Sequence, residues 1–336
     1  MEANPAGFCA ILPAVRPPFT DIEALAVDLA TAIRTKILPQ IGSAEARAHA
    51  GTAVGGDVTF GIDETAEEFL AGYLRERGAR VALYTEDKGL VTFGEPEHLL
   101  IIDPVDGTRP AAAGFEAAMV SVAVAELNSQ PAMKDVTFGC LLEIKNGNLF
   151  TARRGGGVSI TAPGGEERPV ILSGNTDLRR MFWTIGFRGR PARALIETLG
   201  DLVDTSSVDG SVFDLGSATY SITRILTGQL DAYVDIGPRM IDEVPGVREE
   251  FERVGNGAVL NNSPHDLAAA GLIAREGGLF FADGWGNPLS ERLLLGSDHD
   301  FQMSCIAAAN PELAGRIVAA VDEGIASLRA AFGKAG

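Results

Sequence analysis

Cysteine is scarce in this chain: Cys9, Cys140 and Cys305 are the only three in 336 residues, far apart, odd in number and without metal-ligand spacing. That excludes a disulfide framework or a cysteine zinc site and predicts a reducing cytoplasm. Positive charge is short as well, with 28 Lys and Arg against 45 Asp and Glu and a formal net charge of -17. Such a field repels phosphate backbones and anionic lipid, so nucleic acid is not expected as a general partner. No uninterrupted apolar run is long enough to span a bilayer, and residues 1–11 lack a basic stretch followed by a sustained apolar one. Neither membrane insertion nor export is expected. Internal repeats and low-complexity linkers are absent too. The Gly155, Gly156, Gly157 run is a turn rather than a dinucleotide or P-loop fingerprint, because no helix or Gly-Lys-Ser/Thr completes it. What is present is a 46% hydrophobic chain, able to bury a large core in one broad domain or two fused subdomains.

The apolar pattern organises that core. After a Pro-rich lead ending at Pro18, Thr20 or Asp21 is placed to cap a helix whose Ile22, Leu25, Leu29, Ile33 and Ile37 recur at helical spacing. Gly55 and Gly56 turn the chain into residues 57–62, and Asp63 is placed to cap a second helix carrying Ala66, Phe69, Leu70 and Tyr73. Short β-rich runs follow at 81–84, 99–102, 119–125, 136–142 and 148–152, with Asn146-Gly147 as a hairpin turn, and read as a largely antiparallel sheet. A break at Pro163-Gly164-Gly165 precedes a half in which strands at 182–185 and 232–235 alternate with helices such as 218–226. Two subdomains are therefore expected, 1–165 and 166–336.

Chemistry is concentrated at strand ends. Leu99-Leu100-Ile101-Ile102 runs straight into Asp103-Pro104-Val105-Asp106-Gly107-Thr108. Two carboxylates across a Pro-restricted turn can face one point, the Val105 carbonyl can join them, and oxygen ligands of this kind suit Mg²⁺. Gly107 lets the backbone approach a ligand closely, and N–H groups there can meet a phosphate oxygen. Taken alone, Asp-Pro and Asp-Gly pairs are ordinary turn formers. A second acidic strand end at Glu86-Asp87 and a third carboxylate, Asp266, opening the Ala-rich helix 267–276, raise the odds of a shared site. Bound cations would also offset the repulsion between an acidic protein and an anionic phosphate.

With these residues in view, most of the chain resembles the inositol monophosphatase superfamily, which also holds fructose-1,6-bisphosphatases and 3'-phosphonucleotide phosphatases. The family's first signature is matched by Asp103-Pro104-Val105-Asp106-Gly107-Thr108. Its other signature is similar to His265-Asp266-Leu267-Ala268-Ala269-Ala270-Gly271 followed by Glu276-Gly277-Gly278 and Asp283. The stretches around Gly56-Asp57, Ile62-Asp63 and Gly216-Ser217-Ala218, and the run 228–235, are similar to family positions as well. The resemblance implies an αβαβα layered sandwich with an N-terminal α+β part, a C-terminal α/β part and the site between them. It further implies that Glu86, Asp103, Asp106, Asp266 and the Val105 carbonyl ligate two or three Mg²⁺ ions. By the same resemblance, Thr108, hydrogen-bonded to Asp63, activates the attacking water; the Gly107 and Thr108 N–H groups bind the phosphate; and Asp235 binds substrate hydroxyls.

Several departures from the family pattern bear on substrate. Arg109-Pro110-Ala111 stands where many members carry Asn and an aromatic, and His265 stands where Trp is common. Residues 237–263 resemble a charged, Gly-rich insertion suited to a lid or a partner-subunit contact. Gly55-Gly56-Asp57, with no Lys just before it, is closer in pattern to archaeal-type dual inositol monophosphatase and fructose bisphosphatase enzymes. Arg188 is a candidate for a second substrate phosphate, with a surface role as its bland alternative. The expected activity is Mg²⁺-dependent hydrolysis of a sugar or polyol phosphate in a cytoplasmic homodimer, with inositol 1-phosphate first and fructose 1,6-bisphosphate close behind. A 3'-phosphonucleotide or histidinol-phosphate phosphatase is the enzymatic alternative, and a regulatory macromolecule-binding protein on the same fold is the non-enzymatic one.

Overall fold

The computed structural model describes the backbone of residues 8–11 and the whole of residues 18–333. Its larger sheet has eight strands in the order Glu167–Arg168, Gly157–Thr161, Leu149–Arg153, Val136–Glu143, Met119–Glu126, His98–Asp106, Val81–Thr85 and Gly89–Phe93. Within it only Val81–Thr85 against His98–Asp106 runs parallel. A five-stranded mixed sheet follows, ordered Ser211–Phe213, Phe182–Ile185, Ala232–Asp235, Cys305–Ala308 and Phe280–Ala282. The chain passes from one sheet to the other between residues 168 and 182.

Helices fill three layers around these sheets. Asp21–Ile37 and Gly61–Glu76 cover one face of the eight-stranded sheet, where Leu29, Ile33, Ile62 and Leu70 meet Leu100, Ile102, Val120 and Val122. Ala218–Leu226 and Pro264–Glu276 lie between the sheets, with Leu99, Ile101 and Met119 on one side and Tyr233, Phe281 and Ala307 on the other. Ala192–Thr205 and Pro311–Gly333 close the outer face of the five-stranded sheet over Trp183, Val234 and Ile306. The order of layers is helix, sheet, helix, sheet, helix. Alternation along one strand explains why 99–102 reads as four consecutive apolar residues: Leu99 and Ile101 point into the middle layer, Leu100 and Ile102 into the outer one. Each such side chain, when fully buried, contributes about 1.5–3 kcal/mol. Small residues let the middle helix sit close, since a Cβ at Gly271 would press on Met133 and Phe281.

Two expectations change here. The second helix begins at Gly61, two residues before Asp63; Asp63 sits in its first turn and caps by reaching back to the Phe60 N–H at 2.9 Å. The supposed insertion is no lid. Residues 237–263 hold helices Gly237–Glu243 and Val247–Val254, and their Met240, Val244, Val247 and Phe251 are buried in the outermost core. The charged residues between them masked that apolar face.

Candidate active site

The site forms where strand His98–Asp106 runs off the end of its sheet. Asp103 pairs with Ser121 and Asp106 with Met119, so three steps on one strand answer two on its neighbour. This bulge turns two carboxylates that simple alternation would send to opposite faces toward one point. Both are buried. Gly107 then takes φ 90°, and a Cβ there would overlap the Ala117 carbonyl, so only glycine lets the chain reverse into the short helix Thr108–Ala112.

Helix starts deliver two further carboxylates by one device. Asp63 and Asp266 each occupy the third position of a helix and accept the N–H of the residue that precedes it, Phe60 at 2.9 Å and Ser263 at 2.6 Å. One carboxylate oxygen fixes the helix start and the other is left for the site. Asp63 presents its second oxygen to the Thr108 hydroxyl, 2.8 Å away, which also lies 3.1 Å from the Val105 carbonyl. Asp103 and Asp106 are anchored similarly. Asp103 accepts the Val105 N–H at 2.9 Å, while one Asp106 oxygen accepts the Ser217 hydroxyl and the Thr219 N–H, both at 2.7 Å, and the Thr219 hydroxyl.

Oxygens of Asp103, Asp106 and Asp266 lie within 4.8 Å of one another, as do the ligand atoms of Glu86, Asp103 and His265. Negative charge packed this closely, away from water, favours protonation. Burial, opposed by the hydrogen bonds from Phe60 and Thr108 and reinforced by the neighbouring Glu86 and Asp87, raises the Asp63 carboxyl to about 8. Burial, tempered by His265 and reinforced by Asp266, raises Glu86 to about 7. Asp103 is pushed well above its ordinary value by burial and by Asp106, and Asp106 upward by burial and by Asp266. A cluster of hard carboxylate oxygens under this strain is chemically suited to a divalent cation.

A pocket of about 280 Å³ opens over the cluster, lined by Glu86, Asp103, Asp106, Gly107, Thr108 and Asp266 below and by Arg109, Phe115 and Arg188 above. Both arginines are half-buried and hold Asp57: Arg109 at 3.1 Å, and Arg188 in a closer pair. Burial by itself would raise the Asp57 carboxyl, but Arg188 and Arg109 outweigh it and hold it below its usual value. Arg109 also stacks its guanidinium 5.2 Å from the centre of the Phe60 ring.

The proposed ligands, Thr108 and Arg188 border this pocket, Asp63 reaches it through Thr108, and Asp235 lines an adjoining pocket that shares Asp106, Arg188 and Asp266 with it. Asp235 is 1% exposed and its carboxylate accepts from both Arg190 N–H arms, from the Tyr233 hydroxyl at 3.3 Å and from the Gly237 N–H at 3.2 Å. Sequence reasoning missed Arg190, the anchoring role of Thr219 and the Asp57 bridge. Arg188-Gly189-Arg190 offered a signal for the first, two cations one residue apart after a buried strand.

Layered sheets with a carboxylate cluster at a strand end suit a cation-assisted enzyme, and comparison with known proteins gives its class, a phosphate-ester hydrolase. Residues 20–326 match the inositol monophosphatase family, and the chain belongs to that family. A fructose-1,6-bisphosphatase/inositol-1-monophosphatase from Methanothermobacter thermautotrophicus is 24% identical over 303 residues, covering 88% of this chain and 95% of the relative. A Nus factor SuhB from Xylella fastidiosa is 27% identical over 194 residues, 57% of this chain and 65% of that one. Among solved structures, an extragenic suppressor protein SuhB from Bartonella henselae superimposes with a TM-score of 0.66 at 19% identity, covering 91% of this chain and all of that one. The fold is the αβαβα sandwich of this family, and the chain is a phosphate monoester hydrolase. Among the described residues no helix is long and apolar enough to cross a membrane.

Proposed function

We propose that this chain hydrolyses a sugar or polyol phosphate monoester in the pocket over Asp103 and Asp106, with inositol 1-phosphate and fructose 1,6-bisphosphate as the leading substrates. The observation that carries this reading is the Thr108 hydroxyl held 2.8 Å from Asp63 beside four converging carboxylates. Glu86, Asp103, Asp106, Asp266 and the Val105 carbonyl would hold two or three Mg²⁺ ions. When bound, Mg²⁺ would supply positive charge against the phosphate oxygens and acidify water.

The chain's own part is proton handling and positioning. Thr108 orients water and takes its proton while passing its own to Asp63, whose carboxylate already accepts the Thr108 hydroxyl at 2.8 Å. Gly107 and Thr108 present their N–H groups to the phosphate as the chain enters the short helix. Asp235 acts through Arg190 in this reading, because its oxygens are already taken.

The second substrate draws support from one specific feature. Arg109 and Arg188 line the pocket and share Asp57, with Glu86 and Asp266 also acting on Arg188, and two guanidinium groups beside the cluster suit a leaving group with its own phosphate. The name of the Xylella relative points to the rival, a macromolecule-binding protein; a charge of -17 works against nucleic acid as its partner. A homodimer and a cytoplasmic setting complete the proposal. The test is phosphate release from inositol 1-phosphate, fructose 1,6-bisphosphate, a 3'-phosphonucleotide and histidinol phosphate, with Mg²⁺ and with EDTA. Release from none of the four would sink it.

A further inference from the structure

We propose that His265 is a metal ligand, so that one cation position in the cluster takes a nitrogen donor and accepts a first-row transition ion such as Mn²⁺ or Co²⁺ more readily than Mg²⁺. This rests on the reading that the cluster holds cations. The ligand atoms fall into two groups that share Asp103. Asp103, Asp106 and Asp266 offer oxygen alone, whereas Glu86, Asp103 and His265 offer two carboxylates and an imidazole within the same 4.8 Å. Oxygen-only positions suit Mg²⁺, which keeps to hard ligands and dehydrates reluctantly. An imidazole favours ions further along the first transition series. The two positions are therefore chemically unequal.

His265 is built into place. It is the second residue of helix Pro264–Glu276, 5% exposed, and its carbonyl receives the Ser121 hydroxyl at 3.4 Å. Its Nε2 lies 3.6 Å from an Asp266 oxygen and 3.9 Å from a Glu86 oxygen. Both distances exceed a good hydrogen bond, which ends at about 3.2 Å. The Asp266 oxygen is the one that caps Ser263, so the Glu86 distance is the relevant one, and it falls between the separations of adjacent and opposite ligands about 2.1 Å from a shared centre, about 3 Å and about 4.2 Å. The other ring nitrogen, Nδ1, is buried and has no hydrogen-bond partner among the described residues. A buried histidine kept for structure normally spends at least one nitrogen on a partner at hydrogen-bond distance. His265 spends neither, and Nε2 faces the cluster.

The experiment titrates Mn²⁺ into the cation-free full-length protein, with binding followed by electron paramagnetic resonance and the ligand set read from nitrogen couplings in pulsed spectra. Wild type should show a directly bound nitrogen, and His265→Phe should lose it together with about tenfold or more in Mn²⁺ affinity. Mg²⁺ affinity, measured by calorimetry, should change far less. Asp106→Asn should weaken Mg²⁺ binding yet retain the nitrogen coupling. If His265→Phe does not fold, His265→Gln serves the same comparison. Tight Mn²⁺ binding without a nitrogen coupling in wild type would overturn the ligand role and leave the cation cluster standing. Failure of wild type to bind either ion would overturn the cluster and the ligand role together.

Discussion

Replacing Asp106 by Asn should abolish hydrolysis and, in the absence of cations, make the protein more stable. The amide oxygen can keep the Ser217 and Thr219 donors that now hold one Asp106 oxygen, so the fold loses little. What is removed is a charge within 4.8 Å of the ligand oxygens of Asp103 and Asp266. At an effective dielectric near 20, two full charges at that distance repel by about 3–4 kcal/mol. Partial protonation already relieves some of this, leaving a gain on the order of 1–2 kcal/mol. A chain of 336 residues unfolds with an entropy of about 0.7 kcal/mol/K, so the melting temperature should rise by about 1.5–3 °C. The sign with pH follows from the direction of the shifts. Glu86 and Asp63, raised from 4.5 to about 7 and from 3.8 to about 8, titrate higher in the folded chain than in the unfolded one. These two groups hold extra protons in the cation-free fold, so their contribution to stability is fully present below about pH 4 and is lost as pH climbs toward 8, by about 1.4 kcal/mol per pH unit for each such proton. The advantage of Asp106→Asn should be largest at pH 8 and shrink at pH 5. Excess Mg²⁺ should then raise the melting temperature of wild type more than that of the variant. Thermal melts in EDTA and in Mg²⁺ at both pH values provide the assay. Equal melts at pH 8, or a gap that widens on acidification, would refute the repulsion argument.

Other substitutions probe separate parts of the account. Thr108→Ala should lower kcat by about a hundredfold or more with little change in KM, and Asp63→Asn should follow it; near-native kcat would remove both from water activation. Arg109→Ala and Arg188→Ala should reduce kcat/KM for fructose 1,6-bisphosphate more than for inositol 1-phosphate, and an equal loss on both would mean that the arginines serve only to hold Asp57. Deleting residues 249–257 removes the buried Phe251, so cooperative unfolding at a lower temperature is expected. Phe251→Ala should itself destabilise by about 3–5 kcal/mol, and a chain as stable as wild type would contradict the packing of that segment.

Much of the fold was legible in the sequence, for physical reasons. Strand 182–185, strand 232–235 and helix 218–226 were readable to the residue because buried β-rich runs and a helical apolar stripe leave strong patterns. The acidic strand end at Asp103 and Asp106 stood out because few bland structures place two carboxylates after four apolar residues. What stayed hidden depends on partners distant in sequence. Val247 and Phe251 lie among Arg248, Glu249, Glu250, Glu252 and Arg253, so composition spoke for a surface lid while two residues at helical spacing carried the packing. Arg190 meets Asp235 across 45 residues, and no local pattern announces such a pair. The bulge between Asp103 and Asp106 was equally invisible, because it exists only relative to the neighbouring strand.

The central claim, that hydrolysis depends on cations held by this carboxylate cluster, is tested most directly by phosphate release from wild type and Asp103→Asn side by side. The better substrate of the panel would be used in Mg²⁺, after EDTA, and after Mg²⁺ is restored. The account predicts release by wild type that EDTA stops and Mg²⁺ recovers, with folded Asp103→Asn at background throughout. Release that survives EDTA, or an Asp103→Asn variant that keeps the wild-type rate, would contradict it.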